Sequence, residues 1–88
     1  MKECQNIEFK ETWSDDYLKW ICGFANAQGG KLYIGVYDSE NIVGVKKAKK
    51  LLEDIPNKVA PLHKTILRFI KIMQRGYIHV QIVPLTIL

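Results

Sequence analysis

The stretch that most constrains the fold is residues 20–38, which read WICGFANAQGGKLYIGVYD. An apolar helical pattern runs into Gly29 and Gly30, and glycine readily ends a helix because it adopts left-handed backbone conformations. From residue 31 to residue 37 every second side chain is aliphatic, which is the period of a β-strand. Gly35 interrupts this strand, and such a glycine often marks a bulge or the close approach of another backbone. The sequence therefore predicts a helix, a glycine stop and a buried strand in direct succession.

The same periodicities predict the other elements before residue 60. These are a strand at 5–10, a helix at 15–28, a turn at 38–41 into a strand at 42–45, and a helix at 46–59. Ser14 is placed to cap the first helix, because its hydroxyl can accept a hydrogen bond from a first-turn amide. Pro56 lacks a backbone donor, so we expect it to kink the second helix or to begin a separate turn.

The segment after residue 60 admits two interpretations. Its apolar spacing fits a third helix that begins at Pro61 and ends at Gly76. Its β-branched content also fits a strand at 65–73 paired with a strand at 77–83. The last of these strands is clear, because aliphatic residues occupy alternate positions from residue 78.

Charge is distributed unevenly along the chain. Residues 1–45 hold four lysines against seven acidic residues, whereas residues 46–88 hold nine lysines and arginines against two acidic residues. A surface built from the second half could therefore face a polyanion. The alternative is a lysine-rich surface that is simply solvated.

Bulk properties set the class of protein. The chain shows no signal peptide, no apolar run of membrane-spanning length and no cysteine spacing typical of a disulfide or metal site. We expect one domain over residues 1–88, cytoplasmic, with no membrane partner and no cofactor. The apolar residues 83–88 are unusual at the end of a small domain. They predict either a homodimer contact or a chain that is truncated at its C-terminus relative to longer proteins.

The second half supplies the cations of a candidate phosphate-binding surface. Its members are Lys46, Lys47, Lys49, Lys50, Lys58, Lys64, Arg68, Lys71 and Arg75. Each phosphate that a cation neutralises releases counterions, which favours binding. No motif that reads base sequence is present. Gly29 and Gly30 do not form a phosphate loop, because they end a helix instead of beginning one. We assign no role to His63 or His79.

Three segments, NIEFKE, FANAQGGKLYIGV and NIVGV, together resemble the Schlafen-type AlbA-like domain, which often begins bacterial proteins described as transcriptional regulators. The resemblance covers residues 3–60 best. It implies an α+β fold, a two-layer mixed sheet with two helices in the order β-α-β-β-α-β-β, and thus favours a strand at 65–73. It also implies that a terminal hairpin and basic loops contact nucleic acid, DNA more than RNA, with Arg75 at the hairpin tip.

The resemblance implies a second function as well. Glu3, Glu8 and Asp38 match positions that form a metal-dependent nuclease centre in some Schlafen relatives. Carboxylates that converge on Mg²⁺ or Mn²⁺ could activate water. The alternative is that Glu8 pairs with a neighbouring lysine and that Asp38 serves the turn.

Three functions thus follow: a nucleic-acid-binding module of a transcriptional regulator, a metal-dependent endoribonuclease that uses Glu3, Glu8 and Asp38, and a dimerisation domain. We predict the first and assign no catalytic residue and no metal ligand. The predicted binding residues are Lys46, Lys47, Lys49, Lys50, Arg68, Lys71 and Arg75.

Overall fold

The structure, a computed structural model, describes residues 6–63 and 67–85. Its strands and helices are β1 (Ile7–Lys10), α1 (Leu18–Ala25), β2 (Gly30–Ile34), β3 (Val36–Asp38), β4 (Asn41–Ile42), α2 (Ala48–His63), β5 (Leu67–Ile72) and β6 (Ile78–Ile82). A short 3₁₀ turn precedes α1 (Asp15–Tyr17), and a tight turn with Arg75 in a left-handed conformation joins β5 to β6 (Gln74–Gly76). The predicted α+β fold with two helices and a mixed sheet is confirmed.

The main sheet has four strands in the order β1-β2-β6-β5. β1 runs parallel to β2, and the other two pairs are antiparallel. Every second residue of β2 and β6 is aliphatic and packs against the two helices, which lie on one face. This core comprises Ile21, Phe24, Ala25, Leu32, Ile34, Ile55, Val59, Ile78, Val80 and Ile82. The hairpin at residues 67–82 is the predicted one, so the alternative of a third helix is wrong.

A second, smaller sheet lies against the other face of the main sheet. It consists of β3 and β4, and Val36 of β3 packs with Phe9 of β1 and Tyr33 of β2. Phe9 and Tyr33 also meet edge to face, with ring centroids 5.7 Å apart. The β3–β4 pair therefore shields aromatic side chains on the sheet face that the helices leave uncovered.

Gly35 splits the predicted strand into β2 and β3. Its φ is +93°, a value that side chains disfavour, and a Cβ placed there would lie 2.5 Å from Val45 Cγ2 and 2.8 Å from the Gly44 carbonyl carbon. The Gly35 N–H donates to the carbonyl of Lys10 at 2.7 Å, and the Gly35 carbonyl accepts from the N–H groups of Val43 and Gly44 at 2.8 and 2.9 Å. The predicted close backbone approach is confirmed, and Gly35 joins β1 to the segment after β4.

The boundaries of α2 differ from the prediction at both ends. Lys47 has a φ of +58°, outside the helical region, so the helix begins at Ala48 and Lys46 lies in the preceding turn. The helix then continues through Pro56 and Pro61 to its end at residue 63. Each proline removes one donor from the helix, but neither ends it. Of the two expectations for Pro56, the separate turn is wrong and the kink stays a prediction. The helix also extends past residue 59, where we expected it to end, and no separate helix begins at Pro61.

The first helix begins as predicted and ends earlier. The Ser14 hydroxyl accepts a hydrogen bond from the Asp16 N–H at 3.3 Å, which confirms the cap. The α-helix ends at Ala25, short of the predicted residue 28. The Gly29 N–H then donates to the Phe24 carbonyl at 2.7 Å, so the glycine stop is also confirmed.

The end of the chain bears on the predicted dimer contact. Leu85 packs against the core of its own chain, whereas residues 86–88 of the apolar tail lie outside the described residues.

In the part of the chain that the structure describes, no helix combines the length and the apolar character that a membrane span requires.

His79 is the one polar residue among the buried side chains of the described chain, with 9% of its surface exposed. Its ring stacks on Tyr33 at a centroid distance of 4.6 Å and meets the edge of Phe69 at 4.8 Å. Its Nε2 has no hydrogen-bond partner within the described residues. Burial, and then the charges of Lys31 and Lys71, lower the pKa of His79 below its usual value. The folded protein thus favours the neutral imidazole.

Replacing Gly35 tests the backbone contact. Gly35→Ala should lower the free energy of unfolding by about 2–4 kcal/mol, because it adds both a left-handed alanine and an overlap with Gly44. Urea denaturation measures this loss. Gly23→Ala is the matched control, because a Cβ at Gly23 meets nothing within 4 Å. It should be neutral or stabilising by about 1 kcal/mol. Equal stabilities of the two variants would contradict the assigned contact.

The burial of His79 predicts acid sensitivity. In the unfolded chain its pKa is about 6.5, and the folded value is lower. The unfolded state therefore binds more protons between the two values, so stability is full above about pH 6.5 and falls as the pH drops below it. The slope has an upper limit of about 1.4 kcal/mol per pH unit for one proton.

His79→Phe keeps an aromatic ring beside Tyr33 and Phe69 and removes the titrating group. Urea denaturation between about pH 5 and 7.5, around the ordinary histidine pKa, should show a flatter pH dependence for this variant. Identical pH profiles of the variant and the wild type would show that His79 does not titrate as proposed.

Candidate nucleic-acid interface

A groove of about 890 Å³ lies where three separate segments of the chain meet. Residues 11–13 follow β1, residues 43–54 include the turn before α2 and its first turns, and residues 75–76 form the tip of the β5–β6 hairpin. Four of the seven predicted binding residues line this groove. They are Lys46, Lys47, Lys50 and Arg75.

Backbone contacts at three glycines bring these segments together. The Val45 N–H donates to the carbonyl of Gly76 at 3.0 Å, which ties the segment before α2 to the hairpin tip. Gly44 has a φ of +76°, and a Cβ there would lie 3.0 Å from the carbonyl oxygen of Arg75. The Gly44 N–H in turn donates to Gly35. We call Gly35, Gly44 and Gly76 the glycine seam. It places the hairpin tip beside the start of α2.

Two of the groove cations have an unusual backbone. Lys47 and Arg75 have φ values of +58° and +69°, and no other non-glycine residue in the described part of the chain has a positive φ. A left-handed conformation costs a side-chain-bearing residue about 1–2 kcal/mol. Strain of this kind tends to concentrate at functional sites. Here both strained residues are cations of one groove.

The groove cations are available to an external anion. Within residues 6–63 and 67–85, the ion pairs are Lys10 with Glu8 and Lys58 with Asp15, so none of the groove cations is neutralised in this way. The start of α2 lies in the groove, and the helix dipole also favours an anion there. Two carboxylates, Glu11 and Asp54, line the groove as well, so its net charge is positive but moderate.

Lys49 and Lys58 lie elsewhere on α2. Lys49 is exposed and does not line the groove, although Lys50 beside it does. The Lys58 ammonium donates to both carboxylate oxygens of Asp15, at 2.7 and 2.8 Å. This pair gives Lys58 a partner within the chain, which makes it a poor candidate for phosphate binding.

The cations of β5 also lie apart from the groove. Arg68 is exposed and sits at the irregularity between Leu67 and Phe69, about 13 Å before the end of the strand at 3.3 Å per residue. Lys71 pairs with His79 across the sheet, and its ammonium lies 5.4 Å from the centroid of the Phe69 ring. Lys64 lies outside the described residues. The predicted binding residues therefore do not all share one surface.

Asp38 has a structural role in the β3–β4 turn. Its Oδ1 accepts hydrogen bonds from the N–H groups of Glu40 and Asn41, both at 2.9 Å, and from the side-chain amide of Asn41 at 2.8 Å. The Glu40 N–H and the Asn41 side chain lower the pKa of Asp38 below its usual value. This is the turn role that the sequence offered as the alternative to metal binding.

Glu8 lies in β1, with its carboxylate 3.8 Å from the Lys10 ammonium. This is the lysine pairing expected as its alternative role. Glu3 lies outside the described residues. Among the residues that are described, no group of three or more His, Cys, Asp or Glu side chains could hold a metal ion. The nuclease centre thus stays the alternative hypothesis that the resemblance implied, and we assign no metal ligand.

Trp13 lines the groove and was missed by the sequence analysis as a site residue. Its indole N–H donates to Asp15 Oδ1 at 2.9 Å, and its ring meets Tyr17 edge to face at a centroid distance of 6.0 Å. The hydrogen bonds from Lys58 and then from Trp13 lower the pKa of Asp15, which keeps this carboxylate charged. The sequence Trp-Ser-Asp at the start of the helix is compatible with the local contact between Trp13 and Asp15. The groove also needs residues 43–54 and 75–76, which are distant in the sequence, so local pattern could not predict it.

A comparison with protein families identifies the domain type of this chain. The chain matches the family described as Schlafen, AlbA_2 over residues 3–86. No curated protein and no solved structure matches it. The matched span contains every segment that lines the groove, and the chain belongs to the Schlafen AlbA_2 family.

Proposed function

We propose that this protein is a nucleic-acid-binding module that holds backbone phosphates in the groove at the start of α2. The observation that carries the proposal is the convergence of Lys46, Lys47, Lys50 and Arg75 on one concavity. They come from two places that are distant in the sequence. A set of merely solvating cations would gain nothing from such convergence.

Electrostatics supports the same function. Placing like charges near one another opposes folding, and cations at a helix N-terminus oppose the helix dipole. A bound polyanion reverses both effects and releases its own counterions. Membership of the Schlafen AlbA_2 family is compatible with nucleic-acid binding.

Four finer statements about function, partners and location stay predictions. These are the preference for DNA over RNA, the role in a transcriptional regulator, the formation of a homodimer and the cytoplasmic location. Binding assays that compare duplex DNA with RNA of the same sequence separate the first of them directly.

Two neighbouring lysines provide a sharp test. Lys50→Glu should weaken binding about tenfold at about 0.1 M salt, because it removes one phosphate contact and adds a like charge. Lys49→Glu is the matched control: it makes the same change in net charge on the same helix, outside the groove. It should change affinity less, since it removes no cation from the groove lining and its effect on a bound phosphate is only the longer-range, salt-screened charge interaction. Fluorescence anisotropy with a labelled oligonucleotide measures both affinities.

Folding does not confound this comparison, because an acidic residue near a helix N-terminus favours the helix. The wild type should give a log–log salt slope of about −3.6 on duplex DNA, or about −2.8 on a single strand, for four phosphate contacts. Equal losses for the two variants would contradict the groove as the binding site. No binding to DNA or RNA at low salt would contradict the function itself.

A further inference from the structure

We infer that the groove holds an unpaired stretch of nucleic acid, with its phosphates on the groove cations and one base stacked on the ring of Trp13. This inference rests on the proposed function and adds the class of substrate. It excludes an intact duplex as the preferred partner.

The groove divides chemically into two parts. All four of its Lys and Arg residues come from the turn before α2, from α2 itself and from the hairpin tip, whereas residues 11–13 contribute a carboxylate, a hydroxyl and the indole of Trp13. Grooves that bind single strands combine cations that follow the backbone with aromatic rings on which bases stack. In a duplex the bases already stack on one another, so a ring in the groove would find no free base face to stack on.

The ring of Trp13 is held in place before any ligand binds. Its only hydrogen-bond donor is used by Asp15, at 2.9 Å. Asp15 is itself held by the ammonium of Lys58 at 2.7 Å. Because the donor is occupied, the ring can meet a base by stacking and not by a hydrogen bond. A ring that is already positioned loses little conformational entropy on binding.

The other groove residues suit a nucleotide better than a bare anion. Val43 is 60% exposed although it is aliphatic, and it lines the groove with Val45 and Leu51. These side chains offer apolar contact to a sugar or a base. Glu11 and Asp54 would repel a phosphate, but carboxylates accept hydrogen bonds from the amino groups of bases. The volume of about 890 Å³ falls in the range of about 300–1,000 Å³ found for small-ligand sites.

Tryptophan fluorescence tests the stacking directly. The chain has two tryptophans, so Trp20→Phe leaves Trp13 as the only one. This variant is titrated with oligo-dT and oligo-U of about ten nucleotides, a length within single-strand site sizes, with a DNA duplex of equal length, and with inorganic polyphosphate. We expect both single strands to quench Trp13 emission on binding, and polyphosphate to bind without comparable quenching. The duplex should bind more weakly than the single strands.

Trp13→Leu and Trp13→Phe in the otherwise wild-type chain give a readout that does not depend on Trp20→Phe. Trp13→Leu keeps an apolar side chain and should weaken oligo-dT binding about tenfold, with little change for polyphosphate. Trp13→Phe should recover part of the loss, and thermal melting shows whether each variant is folded. Single strands that bind without quenching, together with an unchanged affinity of Trp13→Leu, would overturn the inference and leave the proposed function intact. No binding of any of these ligands would overturn both.

Discussion

The contact on which the rest of the structure depends is the backbone approach at the glycine seam. Gly35 ends β2 and joins β1 to the segment after β4, while Gly44 lies against the hairpin tip near Gly76. A side chain at Gly35 would overlap the backbone of Gly44, and one at Gly44 would lie tightly against the Arg75 carbonyl oxygen in a backbone conformation that side chains disfavour. The same hydrogen bonds that complete the fold therefore bring the start of α2 against the β5–β6 hairpin. The groove forms where residues 11–13, the start of α2 and the hairpin tip meet, and its positive charge comes from the cations of the last two segments.

This arrangement of cations opposes the stability of the folded chain and would favour the binding of a polyanion, as the proposed function requires. Cations gather near the N-terminus of α2, and Lys47 and Arg75 adopt left-handed backbone conformations. In contrast, Lys58 on the same helix has a carboxylate partner in Asp15 and lies outside the groove lining. The described chain thus neutralises a cation away from the groove and leaves those inside it without ion pairs. Lys58 holds Asp15, and Asp15 accepts the hydrogen bond of the Trp13 indole. This surface ion pair therefore helps to position a side chain that lines the groove.

Much of the fold could be predicted from local pattern, because helix caps, strand alternation and glycine stops act over a few residues. Ser14, Gly29 and strand β6 illustrate this. Local pattern left strand and helix both open for β5, and only the family resemblance favoured the strand that the structure has. The candidate site could be predicted only in part. Charge asymmetry pointed to the second half of the chain, but local pattern did not distinguish Lys50, which lines the groove, from Lys49, which does not. That distinction depends on the other walls of the groove, at residues 11–13 and 75–76, which are distant in the sequence. Trp13 was missed as a groove residue because the other walls of the groove come from segments far away in the sequence, although its own contacts to Asp15 and Tyr17 are local. The burial of His79 was not predicted, because Tyr33 stacks on it from a distant strand.

The most direct test of this account is an NMR titration that follows backbone amides while a short oligonucleotide is added. The account predicts that the largest shifts fall on residues 11–13, 43–50 and 75–76, which surround one groove. Amides near Arg68, at the opposite end of β5 from the hairpin tip, should move little. Shifts centred on Arg68 and Lys71, with the groove segments unchanged, would contradict the claim that the glycine seam builds the binding site.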